Sequence, residues 1–214
     1  MRNMFAEHLK YVKNYLIEHH GYFPPDLQYR FRCKYEHTLR VLRWCRKLAA
    51  QYPKINLEAL YTAAIFHDIG YSADYDMNQH AQMGAQIFAE YAETIHMNKE
   101  LAQKVTYLIH EHSNKELLQN PDTMLELIIL MEADLMDEEG ALRVIWYCAT
   151  KGILGAESYR DLYDFIQMGS NKRLKNPMVT PLARKIWDQK IELVNRFSEE
   201  LYDDIITDID FCKR

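Results

Sequence analysis

Residues 63–70 read Ala-Ala-Ile-Phe-His-Asp-Ile-Gly, so an apolar helical run meets two strong metal ligands just before a glycine. A histidine and an aspartate at the end of a buried stripe are costly unless other groups satisfy them. The rest of the chain offers candidate partners for this pair, and each of them also falls on an apolar helical stripe: His37, His80, His112 and Asp134.

Helical spacing turns each of these residues inward. His37 shares a face with Val41 and Leu48, and Asp134 shares one with Leu127. Apolar residues at i, i+3, i+4 and i+7 mark the side of a helix that faces the core. Asp68 lies about 100° round the helix from its neighbouring histidine and can still reach a site near the helix end.

The remaining histidines are interpreted as structural or solvent-facing. His110 is two positions from His112, so the helix turns it to the opposite side, toward solvent or behind a ligand. Four others lie near helix ends or on polar faces: His8, His19, His20 and His96.

A metal explains the inward-facing set better than separate structural roles do. A single histidine on an apolar face is usually a hydrogen-bonded core residue, and a lone aspartate could be a cap or a salt-bridge partner. Burying two carboxylates and several imidazoles together without a cation costs several kcal/mol per unpaired charge. A divalent metal removes that cost and uses the same residue types, so the set predicts a metal site.

Helical periodicity dominates the chain, and no convincing alternating strand pattern is present. Asn56 has the character of an N-cap for the third helix. We expect a single all-α domain over residues 1–214. The predicted helices cover residues 3–20, 27–51, 57–69, 78–95, 99–112, 121–137, 139–151, 157–168 and 180–207.

Composition excludes several classes of partner. The 214 residues carry a formal net charge of −5, so no broad basic field exists to hold a long nucleic acid. The four cysteines show no paired spacing, which is typical of reduced thiols in a cytoplasmic protein. We expect no signal peptide, no membrane span and no membrane partner. A homodimer through exposed parts of the terminal helices would be unsurprising.

The order of His37, His67-Asp68 and Asp134 resembles the HD-domain superfamily of metal-dependent phosphohydrolases. The local contexts agree as well, with Glu-His-Thr-Leu-Arg-Val at 36–41 and Glu-Ala-Asp-Leu-Met-Asp at 132–137. The resemblance implies a helical bundle with a metal site in its core between the helices. It covers about residues 27–140, after the N-terminal helix at 3–20. A looser similarity to the tail of small bacterial HD hydrolases covers Phe165 to Thr180 and the final long helix, within a C-terminal helical extension over residues 155–208.

The resemblance also implies a ligand set for a divalent metal, which could be Mn, Mg, Co, Ni or Fe. Four residues would be the primary ligands. Two further histidines stand where branches with two ions place theirs, and the aspartate of the pair would then be the bridging carboxylate. The primary ligands would be His37, His67, Asp68 and Asp134, and the additional ones His80 and His112.

Three departures from the family pattern bear on the substrate. Many relatives carry aspartate where this chain has Glu132, and many carry a lysine soon after the His-Asp pair, where this chain has Tyr71. These two differences leave the substrate open. The Gly-Tyr-Pro signature of cyclic di-GMP phosphodiesterases is absent, which argues against that activity.

The implied activity is hydrolysis of a phosphoester or phosphoanhydride bond in a nucleotide or another small phosphorylated metabolite. A divalent ion lowers the pKa of a bound water and so supplies hydroxide near neutral pH. Asp68 would be a ligand that also orients the attacking water or accepts its proton. His80 and His112 would either hold a second ion or protonate the leaving oxygen.

Several basic residues are candidates for binding the substrate phosphate. Arg40 lies one turn beyond His37, Arg143 follows a glycine, and Lys172 and Arg173 lie in a loop at 169–175 that could close over a phosphate. The alternative for each is a surface salt bridge or a solvated loop. Tyr71 and Tyr75 follow the His-Asp motif and could stack on a base, although most of the 15 tyrosines must serve packing.

Two other functions remain open on sequence alone. Helical sites of histidine and aspartate with two irons also support oxygen-dependent oxidation, and some HD-fold enzymes are di-iron oxygenases of this kind. A non-catalytic nucleotide-sensing HD domain is the other alternative. The intact ligand set argues against the sensor, because degenerate HD domains usually lose these residues.

Overall fold

The computed structural model describes residues 2–21, 31–71, 79–171 and 175–206, and within these ranges the chain is all-α, without strands. The expected fold class is therefore confirmed. A short 3-10 helix occupies Lys115–Gln119. The α-helices are α1 (Arg2–Glu18), α2 (Lys34–Ala49), α3 (Leu57–Phe66), α4 (His80–Thr94), α5 (Lys99–Glu111), α6 (Leu125–Asp137), α7 (Ala141–Ile153), α8 (Tyr159–Asn171) and α9 (Pro181–Ile205).

Four helix boundaries differ from the predicted ones by three or more residues, and one of them is the end of α8, at Asn171 rather than at 168. α2 begins at Lys34 rather than at 27, after Cys33 in an extended conformation. α6 begins at Leu125 rather than at 121, since residues 121–124 form a turn in which the Thr123 amide donates to the carbonyl oxygen of Asn120 at 3.1 Å. α3 ends at Phe66 rather than at 69, since residues 67–70 form a turn with shorter-range hydrogen bonds.

The described chain divides into two compact units, Met1–Asp137 and Glu138–Arg214. The expectation of one domain over 1–214 stays a prediction. No helix in the described part of the chain is both long enough and apolar enough to cross a bilayer.

α3 is the central helix of the first unit. Its residues from Ala59 to Phe66 are apolar on nearly every face, and most of them are fully buried. A helix that is apolar all round must be covered on all sides, and α3 packs against α1, α2, α4, α5 and α6. The predicted N-cap is confirmed, since the Asn56 side chain accepts a hydrogen bond from the Ala59 amide at 2.9 Å.

Aromatic side chains fill the space between α1, α3 and α4. The ring of Phe66 lies 5.0 Å from those of Phe88 and Tyr91. His8 is buried among them, with Nδ1 2.8 Å from the Tyr91 hydroxyl, and burial lowers its pKa to about 4. His8 is therefore structural, as expected, but its placement near a helix end or on a polar face is wrong, because the rings of Phe66 and Tyr91 from other helices cover it.

The second unit contains α7, α8 and α9, which meet around one apolar cluster. Val144, Ile166 and Val194 are its buried members, one from each helix. The Lys190 ammonium in α9 donates a hydrogen bond at 2.9 Å to the backbone oxygen of Glu139, which lies just before α7. This bond connects α9 to the start of the unit.

Glu126 ties three helices of the first unit together. Its carboxylate accepts a hydrogen bond from the Asn56 amide at 3.0 Å and another from the Lys104 ammonium at 2.7 Å. Burial by itself would raise the pKa of Glu126, but these hydrogen bonds outweigh it and lower the pKa below its usual 4.5.

We expect Glu126→Gln to lower the free energy of unfolding at pH 7 by about 1.5 kcal/mol, because a charge-assisted hydrogen bond is lost. A depressed pKa stabilises the native state only above the pKa of the unfolded chain, so the stabilisation is lost as the pH falls. The difference between wild type and variant should therefore shrink below pH 4.5, the usual pKa of glutamate. Urea titrations at several pH values check this, and an equal difference at all of them would contradict it.

Gly70 allows the turn after α3 to approach the start of α4. A Cβ atom at Gly70 would collide with the carbonyl oxygen of His80 and lie 2.6 Å from the amide nitrogen of Gly84. Such an overlap with backbone cannot be relieved by rotating a side chain. The glycine therefore permits the close approach that places His80 beside Asp68.

We expect Gly70→Ala to lower stability by about 2 kcal/mol, because the added methyl group overpacks a backbone contact. Gly152→Ala is the matched control, since nothing lies within 4 Å of a Cβ at that helical position. It should raise stability by about 0.5–1 kcal/mol. Thermal unfolding of both variants measures the two effects, and changes of the same sign and size would refute the packing argument.

Candidate metal centre

Six side chains that the sequence predicts to face inward lie together in the first unit. They come from four helices and from the turn after α3. Two of the histidines are the C-caps of α3 and α5, and another is the first residue of α4. The six are His37, His67, Asp68, His80, His112 and Asp134.

We define a first half-site as His37, His67 and Asp134. The Nε2 atom of His37 lies 3.2 Å from Nε2 of His67 and 3.3 Å from Oδ1 of Asp134. Nε2 of His67 is 4.0 Å from the same Asp134 oxygen. Ligand atoms of all three residues lie within 4.8 Å of one another, which is close enough to share one ion.

A second half-site, defined as His80 and His112, lies on the other side of Asp68. The Nε2 atoms of these two histidines are 3.3 Å apart, and each is 3.6 Å from Oδ1 of Asp68. The other oxygen of Asp68, Oδ2, is 3.4 Å from Nε2 of His37 and 3.6 Å from that of His67. The two oxygens of one carboxylate therefore face two different pairs of imidazoles.

Backbone carbonyls orient two of the imidazoles. Nδ1 of His67 is 2.9 Å from the carbonyl oxygen of Ala64, and Nδ1 of His112 is 2.6 Å from that of Ile109. A carbonyl oxygen only accepts, so Nδ1 carries the proton and donates it. In the neutral ring Nε2 then carries an unshared lone pair, and in both histidines this nitrogen faces the cluster.

Asp137 orients the third imidazole, and sequence reasoning did not assign it a role. Its buried carboxylate lies 2.8 Å from Nδ1 of His37 and accepts a hydrogen bond from Nε of Arg40 at 2.8 Å. Arg40, which the sequence predicted to bind phosphate, therefore fixes the position of Asp137, and Asp137 in turn orients His37. Asp137 is three residues after Asp134 on α6, and this spacing on a shared helix face could have revealed it.

Charge compensation keeps both aspartates of the cluster ionised. Burial would raise the pKa of Asp68, but the Lys34 ammonium and the neighbouring histidines outweigh it and hold that pKa well below the usual range. Burial would likewise raise the pKa of Asp134, but Lys115 and His37 hold it well below the usual range. The cluster therefore contains two ionised carboxylates, each balanced by a neighbouring positive group.

The two imidazoles of the first half-site differ in their pKa. Burial lowers the pKa of His67 to about 4, so this imidazole is neutral. Burial acts in the same direction on His37, but hydrogen bonds to Asp134 and Asp137 outweigh it and raise the pKa to about 9. The environment of His37 Nε2 thus favours positive charge.

The donor set fits a divalent cation. Its convergent atoms are imidazole nitrogens and carboxylate oxygens, the ligands of first-row divalent metals. Their separations of 3.2–4.0 Å compare with about 3–3.4 Å between neighbouring ligands that each lie ~2.1 Å from one ion. The C-terminal ends of α3 and α5 also point here, and helix C-termini favour positive charge.

Two lysines that sequence reasoning missed contact the cluster. Lys34 Nζ lies 2.8 Å from Oδ2 of Asp68, and Lys115 Nζ lies 2.7 Å from Oδ2 of Asp134. Lys34 precedes His37 by three residues and Lys115 follows His112 by three, so their spacing was the available signal.

The other predicted residues lie elsewhere. The side chain of His110 is 53% exposed beside Glu111, which confirms that it faces solvent. Arg143 belongs to the second unit, where its guanidinium nitrogens are 3.8 Å from the carboxylates of Glu138 and Glu139. The candidates Lys172, Arg173 and Tyr75 lie outside the described residues.

The arrangement of these ligands agrees with a family comparison. The family model described as HD domain matches residues 35–139, the range that contains every residue of both half-sites. This chain belongs to the HD-domain superfamily. No curated protein matches it at a significant level.

Solved structures share the HD fold over nearly the whole chain. A predicted HD-superfamily hydrolase from an uncultured Thermotogales bacterium has 20% identity and a TM-score of 0.65, with 93% of this chain and 91% of that chain covered. An HD-superfamily hydrolase from Bacillus thuringiensis has 16% identity and a TM-score of 0.65, with 95% and 97% covered. YpgQ of Bacillus subtilis in complex with ADP has 17% identity and a TM-score of 0.64, with 96% of each chain covered.

We expect His112→Ala to weaken Mn²⁺ binding by at least about tenfold, because it removes a nitrogen that faces the cluster. His110→Ala, the matched control two residues away, should change the affinity little, because that side chain is solvent-exposed. Isothermal titration of chelator-treated protein measures both affinities. Equal losses in the two variants would show that the assignment of helix faces is wrong.

Proposed function

We propose that this chain is a metal-dependent phosphohydrolase that cleaves a phosphoester or phosphoanhydride bond in a nucleotide or another small phosphorylated metabolite. The observation that carries the proposal is the position of Asp68, whose two oxygens face different histidine pairs. A carboxylate in that position suits a bridge between two adjacent ions. Two-ion sites are common among enzymes that transfer or hydrolyse phosphoryl groups.

The residues that would hold metal are those of the first half-site together with Asp68 and His112. A divalent ion bound there would polarise a phosphoryl oxygen and make a water molecule more acidic. Hydrolysis then requires a positioned water, stabilisation of negative charge and a proton for the leaving oxygen. We assign Asp68 to orient the attacking water, because a pKa held well below the usual range makes this carboxylate a weak acceptor of the water's proton.

The histidines of the second half-site divide between the two roles that the sequence left open. The hydrogen bond to Ile109 makes Nε2 of neutral His112 an acceptor, which favours a ligand role over proton donation. His80 is the better candidate for protonating the leaving oxygen. Its Nε2 lies 3.0 Å from the Ser113 hydroxyl, which could accept or relay a proton.

The choice of a nucleotide rests on one neighbour of the same fold. The structure of YpgQ from Bacillus subtilis contains ADP. The neighbours from the Thermotogales bacterium and Bacillus thuringiensis are described as HD-superfamily hydrolases, which supports hydrolysis as the reaction class. The sequence identities are only 16–20%, so nucleotide binding and hydrolysis are proposed for this chain and not transferred to it.

A di-iron oxygenase is the second candidate, and the same bridging position of Asp68 favours it. Two histidine pairs around one carboxylate would also suit two irons. Metal analysis and a substrate panel separate the two functions. The protein as purified is analysed for metal, then stripped and supplied with Mn²⁺, Mg²⁺, Co²⁺, Ni²⁺ or Fe²⁺ in the presence of an aryl phosphate and nucleoside mono-, di- and triphosphates.

Release of phosphate or of a shortened nucleotide supports hydrolysis. A coloured, iron-containing protein that is inert toward every phosphate ester would overturn the proposal in favour of oxidation.

We expect Asp68→Ala to reduce hydrolysis by at least about a hundredfold and to reduce metal content, with the helical fold retained. Glu126→Gln is the control, because Glu126 is also a buried carboxylate paired with a lysine but lies outside the cluster. It should retain activity at temperatures where it is folded. Product release, metal analysis and circular dichroism provide the measurements, and full activity of Asp68→Ala would refute the proposal.

A further inference from the structure

Two ammonium groups contact the metal-binding carboxylates from different elements. Lys34 lies at the start of α2 and touches Asp68, whereas Lys115 lies in the 3-10 helix and touches Asp134. The exposed fractions of the two lysine side chains are 14% and 31%, so both are partly accessible. Each carboxylate of the cluster thus has one lysine against it.

We propose that Lys34 and Lys115 bind the phosphate group of the substrate once metal occupies the cluster. This inference rests on the proposed function and adds the residues that recognise the anion. It replaces Arg40 in that role, because Arg40 donates to Asp137 behind His37 and not to a carboxylate of the cluster.

The charge balance of the cluster favours anion binding once metal is present. Two aspartates and two lysines neutralise each other when the imidazoles are uncharged. A divalent ion held by the same two carboxylates adds two positive charges that no described residue of the cluster compensates. The metal-bound centre would therefore attract an anion such as a phosphate monoester, which carries about −1.5 to −2 charges near neutral pH.

Neighbouring groups hold both lysine ammonium groups in place beside the cluster. Lys34 Nζ lies 3.5 Å from the centroid of the Tyr71 ring, and that ring stacks on His80 at 4.4 Å. Lys115 Nζ donates to the backbone oxygen of His112 at 2.8 Å as well as to Asp134. These contacts hold both ammonium groups beside the cluster, so little entropy would be lost when they bind an anion.

The proposal predicts opposite effects on cation and anion binding. Removing a lysine removes a positive charge that competes with the metal for a carboxylate, so divalent cations should bind at least as tightly. The same change removes a donor for phosphate, so the anion should bind more weakly. A lysine that only supports the structure of the site would weaken both when removed.

The test uses Lys34→Met, Lys115→Met and the double variant, with Lys34→Gln and Lys115→Gln as alternatives if a methionine variant does not fold. Lys104→Met is the matched control, because Lys104 Nζ lies 2.7 Å from the buried carboxylate of Glu126, outside the cluster. Calorimetry measures Mn²⁺ binding to the chelator-treated protein and inorganic phosphate binding to the Mn²⁺-bound protein.

We expect each single lysine variant to weaken phosphate binding by about tenfold, the double variant to weaken it further, and Mn²⁺ affinity to stay the same or rise. Lys104→Met should change neither affinity. The inference is overturned if phosphate affinity is unchanged in the lysine variants, if Mn²⁺ affinity falls in parallel with it, or if the Mn²⁺-bound wild type does not bind phosphate.

These measurements do not require turnover, so the two proposals can fail separately. Lysine-dependent phosphate binding in a protein that hydrolyses no phosphate ester would support this inference and refute the proposed function. Hydrolysis by the wild type, together with a phosphate affinity that is unchanged in the lysine variants, would support the proposed function and refute this inference.

Discussion

The site depends on keeping one carboxylate charged inside the first unit. Asp68 is 4% exposed, and burial of a lone carboxylate is so unfavourable that it would take up a proton. It remains ionised because the Lys34 ammonium and the imidazoles of both half-sites surround it. The positions of those groups are therefore tied to the chemistry of this one side chain.

Local backbone geometry does much of the positioning. His67 and His112 are C-cap residues, and each ring bonds to the carbonyl oxygen three residues earlier. A helix end leaves such carbonyls without amide partners, so orienting the imidazole also satisfies the backbone. Gly70 then lets the turn after α3 approach α4, which brings His80 to the same carboxylate.

Periodicity predicted the helices and the inward face of each ligand, including the contrast between His110 and His112. It failed where the deciding contact was not local. His8 was misplaced because the rings of Phe66 and Tyr91, which bury it, belong to other helices.

The order and types of the clustered residues, the helical class and the superfamily could all be read from the chain, because they depend on local pattern and on motif order. The pairing of each basic side chain with its carboxylate could not be read from the chain. Lys34 pairs with Asp68 across 34 residues, and Arg40 pairs with Asp137 across 97. Helical periodicity tells which face a side chain occupies, whereas an ion pair depends on the element packed against that face, and only the tertiary structure decides this.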